Sequence, residues 1–257
     1  MIRYFISDLH LSDKRPDLIR AFVLLTQSLK DTKPPAQLYI LGDFYDAWIG
    51  DDFQSEWNDT IEQAIKKLQQ ANWQVFFLHG NRDFLIGKEW FHRTGTSPLS
   101  EQSPISELNL LLAHGDEYCT DDKEYQTFRS MVRSSAWQQQ ILSLPIEQRL
   151  ALAAKLRNDS KTNSAEKNME IMDVTKSAVE ASLHQHQCHN MIHGHTHRPE
   201  IHNETSHIRC VLGDWDKCVW LARIEENEFI QSKCDVESFI TSQLNALVEQ
   251  HRQRLRL

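Results

Sequence analysis

Five short apolar runs in this chain each stop at a cluster of Asp, Asn, His and Gly. That repeated ending constrains the fold more than any other feature. Tyr4-Phe5-Ile6 runs into Asp8 and His10, Leu38-Tyr39-Ile40-Leu41 into Gly42-Asp43, and Val75-Phe76-Phe77-Leu78 into Gly80-Asn81-Arg82-Asp83. Leu110-Leu111-Leu112 runs into His114-Gly115-Asp116, and Met191-Ile192 into Gly194-His195-Thr196-His197. Runs this short, rich in β-branched and aromatic residues, read as buried strands. Helix-like stretches over Asp17–Leu29 and Asn58–Ala71 alternate with the first three, a β-α-β-α order. Ligands in open α/β sheets sit beyond the carboxyl ends of the strands, so five polar strand ends can converge on one site. Cys210–Leu212, Val219–Ile224 and Glu228–Ile230 read as further strands, which a second sheet packed on the first accommodates.

The polar endings have the chemistry of metal ligands. Side chains alternate along an extended segment, so Asp8-x-His10 places two ligands on one side, and His195-x-His197 does the same. Asp43 and Asn81 each follow a glycine, and His114 precedes one. Two Asp, one Asn and four His suffice for two ions sharing a bridging carboxylate. Imidazole, carboxylate and amide ligands together suit Mn²⁺, Fe, Zn or Co better than Mg²⁺ or Ca²⁺, which prefer oxygen shells. Two such ions clamp the oxygens of a phosphoryl group and generate a hydroxide near neutral pH. Any one fragment alone is ordinary loop chemistry; five in order are specific. Asp46, Asp83 and Asp116 read either as residues that orient the ligands or as loop caps.

A net charge of −8 argues against a nucleic-acid partner, which favours basic surfaces. Five cysteines without CxxC spacing fit a reducing compartment, and the early turn to polar residues is unlike a signal peptide, so a cytoplasmic location is expected. Residues 121–186 read as a helical insertion in a body spanning 1–234. From Lys123 to Lys167 the insertion holds eight Lys/Arg and four Asp/Glu, locally +4, either a solvated face or a basic lid over a charged substrate. Residues 235–257 space Val236, Phe239, Ile240, Leu244, Leu247 and Val248 helically and end basic at Arg252, Arg254 and Arg256. They read as an amphipathic C-terminal helix, packed on the body or turned to a membrane surface or a second copy. The oligomeric state is open.

In these blocks the chain resembles the calcineurin-like metallophosphoesterase superfamily, with its D-x-H, G-D-x-x-D, G-N-H-D, lone His and G-H-x-H pattern. The resemblance implies an α/β fold, an αββα sandwich of two mixed sheets. It also implies Asp8, His10, Asp43 and His197 for one metal and Asp43, Asn81, His114 and His195 for the other. Arg82 stands where the superfamily usually has His, often a general acid. Arg does not give up its proton at working pH but holds phosphate oxygens bidentately. The change favours a leaving group that needs no protonation, such as a second phosphate. Catalytic roles are therefore expected for Arg82, Asp43, Asn81 and His114.

Longer blocks, Ile40–Asp52, His79–Leu85, His114–Asp122, Ile171–Val174 and His193–Pro199, resemble the narrower family of UDP-2,3-diacylglucosamine pyrophosphatases of lipid A biosynthesis. This implies hydrolysis of an acylated UDP-sugar lipid to UMP and 2,3-diacylglucosamine 1-phosphate, with two Mn²⁺ ions. Since a lipid substrate must be reached at a membrane surface, the basic lid and basic tail are expected to give weak peripheral attachment to the cytoplasmic face of the inner membrane. It also implies substrate contacts from Asn81, Arg82, Asp122, Ser160, Lys167 and His195, with Asn163 or Ser164 supplying one more. The alternatives are a nucleotide or dinucleotide polyphosphate pyrophosphatase on the same core, and a non-catalytic scaffold.

Overall fold

The structure, a computed structural model, describes residues 1–32, 36–166 and 171–257; the side chains of residues 160–166 lie outside that description. Two mixed sheets form the body. The first begins as a parallel set, β1 (Ile2–Ile6), β2 (Ala36–Leu41), β3 (Gln74–Leu78) and β4 (Ser97–Pro98), connected by α1 (Pro16–Lys30), α2 (Glu56–Gln70) and α3 (Lys88–Thr94). The second contains β5 (Gln102–Ile105), β6 (Leu110–Ala113), β7 (Asn190–His193), β8 (Glu200–Asn203) and β9 (Ile208–Val211), with β6, β7 and β9 parallel. The chain then returns to the first sheet, where β10 (Cys218–Glu225) pairs antiparallel with β1 and with β11 (Glu228–Asp235).

The layering follows from period-two alternation along the strands. In β1, Phe5 points between the sheets, where it meets Tyr39, Leu41 and Leu78 of its own sheet and Leu110, Leu112 and Ile192 of the other. Its neighbours Tyr4 and Ile6 point outward against Leu18, Phe22 and Leu25 of α1 and Ile61, Ile65 and Leu68 of α2. Those helical positions recur every three or four residues, so one stripe of each helix is buried. On the far side, Leu111, Ala113 and Met191 pack under Val179 and Leu183 of α7 (Lys176–Gln185). The result is helix, sheet, sheet, helix. Phe5 is fully buried at its centre, so Phe5→Ala removes about 3–5 kcal/mol.

Between β6 and β7 the described residues form a 3-10 turn over Asp116–Tyr118 and four α-helices: α4 (Lys123–Val132), α5 (Ser135–Leu142), α6 (Ile146–Glu166) and α7. Their basic residues are spent on the body more than on solvent. Arg129 pairs with Asp116, Arg133 with Glu101, Arg149 with Asp52 and Arg157 with Asp46. The local positive charge of the insertion is thus complementary to the acidic strand-end loops on which it sits.

The C-terminal segment corrects the expectation of one amphipathic helix. It forms a short helix α8 (Val236–Ser242), a 3-10 turn over Gln243–Ala246 and an edge strand β12 (Val248–Arg254) paired with β11. The apolar spacing holds only as far as the turn, where Gln243 takes a left-handed φ of 52° and ends the helix. The residues after Val248 are polar on both faces, and the open ladder of β11 offers their backbone a partner. Two of the tail's three arginines are engaged internally: Arg252 with Glu228 and Glu249, Arg256 with Asn203 and the carbonyls of Glu204 and Thr205.

Candidate metal centre

The ends of five strands from both sheets meet at one edge of the sandwich. Asp8 and His10 follow β1, Asp43 follows β2, Asn81 follows β3, His114 follows β6, and His195 and His197 follow β7. The strands stop short of these residues, and the pleat does not orient them. Asp8, His10, Asp43, His195 and His197 all adopt positive φ, between 48° and 67°. The i, i+2 pairs therefore converge through left-handed backbone rather than through strand alternation. Each such residue costs on the order of 1 kcal/mol, and the surroundings must hold it there. Cross-links between the loops do so: Asp8 N–H donates to the Gly42 carbonyl at 3.0 Å, His10 N–H to Asp43 at 3.0 Å, and Gly194 N–H to His114 at 2.8 Å. Asp83 accepts from Gly80 N–H through one oxygen and from Phe44 N–H through the other, fastening two ligand loops together. The glycines beside the ligands are steric requirements. A Cβ on Gly80 would lie 2.2 Å from Asp43 Oδ1, and one on Gly194 would lie 2.2 Å from Asp8 Oδ2.

The donors point at one another. His10 Nε2 and His197 Nε2 are 3.3 Å apart, and His197 Nε2 is 3.3 Å from Asp8 Oδ1. His114 Nε2 lies 3.6 Å from Asp43 Oδ1 and 3.0 Å from Asn81 Oδ1, which is also 3.0 Å from His195 Nδ1. Asp8, His10 and His197 form one trio whose ligand atoms lie within 4.8 Å of one another, and Asp8, Asp43 and His114 form a second. Ser7 and the His195 N–H both donate to Asp8 Oδ2, leaving its buried Oδ1 without a hydrogen bond. A buried carboxylate oxygen without a donor, aimed into a ring of imidazoles, fits a cation. The residues of the two trios, which share Asp8, fit divalent cations.

The electrostatics agree. Burial pushes the Asp8 carboxyl up, but the His197 imidazole 3.3 Å from Oδ1 and the other surrounding imidazoles bring it well below the ordinary range. Burial disfavours charge on His114, yet the carboxylates of Asp43 and Asp8 outweigh it and raise the group to about 9; His197 reaches about 9 against the same penalty, chiefly through Asp8. A field that favours protons at these nitrogens favours cations there. His10 and His195, where burial dominates, fall to about 3 and about 4, and stay neutral, as metal-binding imidazoles must.

Around the donors lie residues with different tasks. Arg82 is half-buried beside them; its charge adds to the burial that lowers His10, and it partly opposes the burial that raises the Asp43 carboxyl above its ordinary range. Asp116 accepts from the Tyr125 hydroxyl at 2.7 Å and from Arg129 at 2.8 Å, which ties α4 to the His114 loop. Asp122 is the N-cap of α4, accepting from Tyr125 N–H at 3.0 Å. Lys167 lies outside the described residues, as do the side chains of Ser160, Asn163 and Ser164 on α6. Two residues escaped the sequence reading. Arg157 of α6 reaches Asp46, whose carboxylate is 4.0 Å from His10 Nδ1. Asp214 stands 3.5 Å from His197 Nδ1. A signal for the second was available, since Gly213-Asp214 ends the β9 run much as Gly42-Asp43 ends β2.

Residues 3–199 match the family model for calcineurin-like phosphoesterases. Among curated proteins, the chain is similar to the UDP-2,3-diacylglucosamine hydrolase of Chromohalobacter salexigens, at 42% identity over 88% of this chain and 94% of that one. The proteins of the same name from Neisseria gonorrhoeae (42% identical, 82% and 89% covered) and Pseudomonas fluorescens (38%, 93% and 96%) are similar over comparable spans.

Proposed function

The chain belongs to the calcineurin-like phosphoesterase family and to the narrower family of UDP-2,3-diacylglucosamine hydrolases, and on that premise we propose how its site works. It is a metal-dependent hydrolase that cleaves the pyrophosphate bond of UDP-2,3-diacylglucosamine to UMP and 2,3-diacylglucosamine 1-phosphate, in lipid A biosynthesis. The observation that carries this reading is the convergence of seven donors from five strand ends in a chain so similar, over so much of its length, to these hydrolases.

Asp8, His10, Asp43 and His197 hold one divalent ion and Asp43, Asn81, His114 and His195 the other, with Mn²⁺ the ion we assign. The chemistry the bound pair supplies is polarisation of the phosphoryl oxygens and acidification of a water. The protein's own groups do the rest. His114 turns Nε2 toward the centre because Nδ1–H donates to the Leu41 carbonyl at 2.8 Å. Arg82, anchored by its backbone N–H on Asp43 Oδ1 at 2.8 Å, brings a permanent charge to the phosphate and stabilises the charge that develops as water attacks the uridine-side phosphorus. No proton donor is needed for the departing sugar phosphate, consistent with Arg at this position.

The helices α4, α5 and α6 form the substrate-covering part. Half-buried apolar side chains such as Phe84 and Trp137, in ring contact at 6.1 Å, lie between the insertion and the body, where acyl chains are to be received. No helix among the described residues is long and apolar enough to cross a membrane. Met131, Leu142 and Leu150 are exposed on the insertion, and contact with the bilayer is assigned to them. Flotation with anionic liposomes tests that assignment; a protein that stays at the bottom of the gradient at moderate salt contradicts it. The substrate is tested by comparing UMP release from UDP-2,3-diacylglucosamine and from UDP-glucose. Strong preference for the acylated sugar is expected, and equal turnover would move the reading to a general nucleotide pyrophosphatase.

A further inference from the structure

Among the imidazoles of the centre, His197 is the most exposed at 40%, and the packing around it does least to fix its ring. Its Nε2 faces Asp8 and His10, each at 3.3 Å, while its Nδ1 faces the carboxylate of Asp214 at 3.5 Å. Asp214 does not sit on a loose loop. Gly213 N–H donates to the buried Gln231 side chain at 3.2 Å, and Trp215 N–H donates to the Asp8 carbonyl at 2.9 Å. The Trp215 ring is 1% exposed, with its indole N–H on the Trp220 carbonyl at 2.8 Å, and Asp216 is gripped by Arg15. The segment is pinned on both sides of Asp214, and one of the pins is the backbone of a metal ligand.

We propose that Asp214 is a positioning residue for His197: it holds the ring with Nδ1–H toward its carboxylate, so that the Nε2 lone pair faces the metal shared with Asp8 and His10. A carboxylate behind a ligand imidazole fixes the tautomer, restrains rotation and raises the basicity of the coordinating nitrogen. His114 has the corresponding partner in the Leu41 carbonyl. The two ions therefore differ in what stands behind their imidazoles, a charged oxygen for one and a neutral, fully buried carbonyl for the other. Asp214 acts on one ion only.

The inference rests on the two-ion reading, and one experiment separates their failures. Full-length protein is stripped with chelator and titrated with Mn²⁺ by calorimetry, as wild type, Asp214→Ala and Asp214→Asn. Wild type takes up two equivalents. Asp214→Ala weakens one binding event by roughly 10–100-fold and leaves the other unchanged. Asp214→Asn, whose amide oxygen still accepts from Nδ1–H but lacks the charge, falls between. The unfolding midpoint of the metal-free protein is unchanged in both variants, which a merely structural role would not allow. Two wild-type events in Asp214→Ala, or equal weakening of both, overturn the role of Asp214 and leave the two-ion reading standing. Failure of wild type to bind Mn²⁺ overturns both.

Discussion

Replacing Arg149 by alanine should detach the helical insertion from the body at a defined point. The guanidinium is almost fully buried, with Arg149 3% exposed. It donates to the Ile49 carbonyl at 2.6 Å, to the Leu144 carbonyl at 2.9 Å, and to both carboxylate oxygens of Asp52. Asp52 is 59% exposed, so water screens that ion pair and it is worth about 1 kcal/mol or less. The two carbonyl bonds come from a charged donor, and each contributes on the order of 1–2 kcal/mol. The sum places Arg149→Ala near 3 kcal/mol and Asp52→Ala near 1 kcal/mol. Gly50 is part of the same joint: its φ is 131°, and a Cβ there would lie 2.3 Å from Arg149 Nη1. Gly50→Ala should cost about 2 kcal/mol or more from backbone strain and displacement of the guanidinium. Part of that cost disappears once Arg149 is gone. The double variant should thus be less destabilised than the sum of the singles by on the order of 1 kcal/mol. Urea unfolding measures the stabilities. Because α6 also carries Arg157, KM for the acylated substrate should rise more than kcat falls. Additive behaviour of Gly50→Ala and Arg149→Ala, or a loss below about 0.5 kcal/mol for Arg149→Ala, would refute the reasoning.

Other outcomes follow from the same geometry. Asn81→Ala and His114→Ala should each abolish most UMP release while shifting the unfolding midpoint far less; wild-type rates in either would contradict the ligand assignment. Hydrolysis in ¹⁸O-water should place the label in UMP, and label in the lipid sugar phosphate would reject attack at the uridine-side phosphorus. Burial, reinforced by Arg209 at 3.1 Å, holds His193 at about 3. Its folded pKa lies below the unfolded value near 6.5, so the native state refuses a proton that the unfolded chain accepts. The stability this group contributes is present above about pH 6.5 and declines as pH falls toward 3. Its ring NMR signals should stay flat between pH 7 and pH 5, whereas a titration near 6 would show the burial argument wrong.

The sequence carried the strand-end clusters because metal ligands and the apolar runs before them are adjacent in the chain. Local pattern was enough for Asp8, Asp43, Asn81, His114 and the paired histidines to be picked out, and for β1, β2, β3, β6 and β7 to be placed. What joins distant segments left no such trace. Arg149–Asp52 and Arg157–Asp46 each link residues about a hundred positions apart, so the basic run of the insertion read as lid or solvated face when much of it docks on acidic loops. The left-handed backbone at five ligand positions was also hidden, since Asp and His there obey no glycine-like rule. In the tail, helical spacing up to Val248 concealed a strand whose later residues are polar on both faces, because only the open edge of β11 selects extended backbone there.

The central claim is that these seven residues hold the ions on which pyrophosphate hydrolysis depends. Its most direct test is UMP release from UDP-2,3-diacylglucosamine by chelator-stripped protein, measured with and without added Mn²⁺. Release that appears only when Mn²⁺ is restored, and fails to appear in Asp43→Ala under the same conditions, is the predicted result. Release of equal rate from the stripped protein, or full recovery in Asp43→Ala, would contradict it.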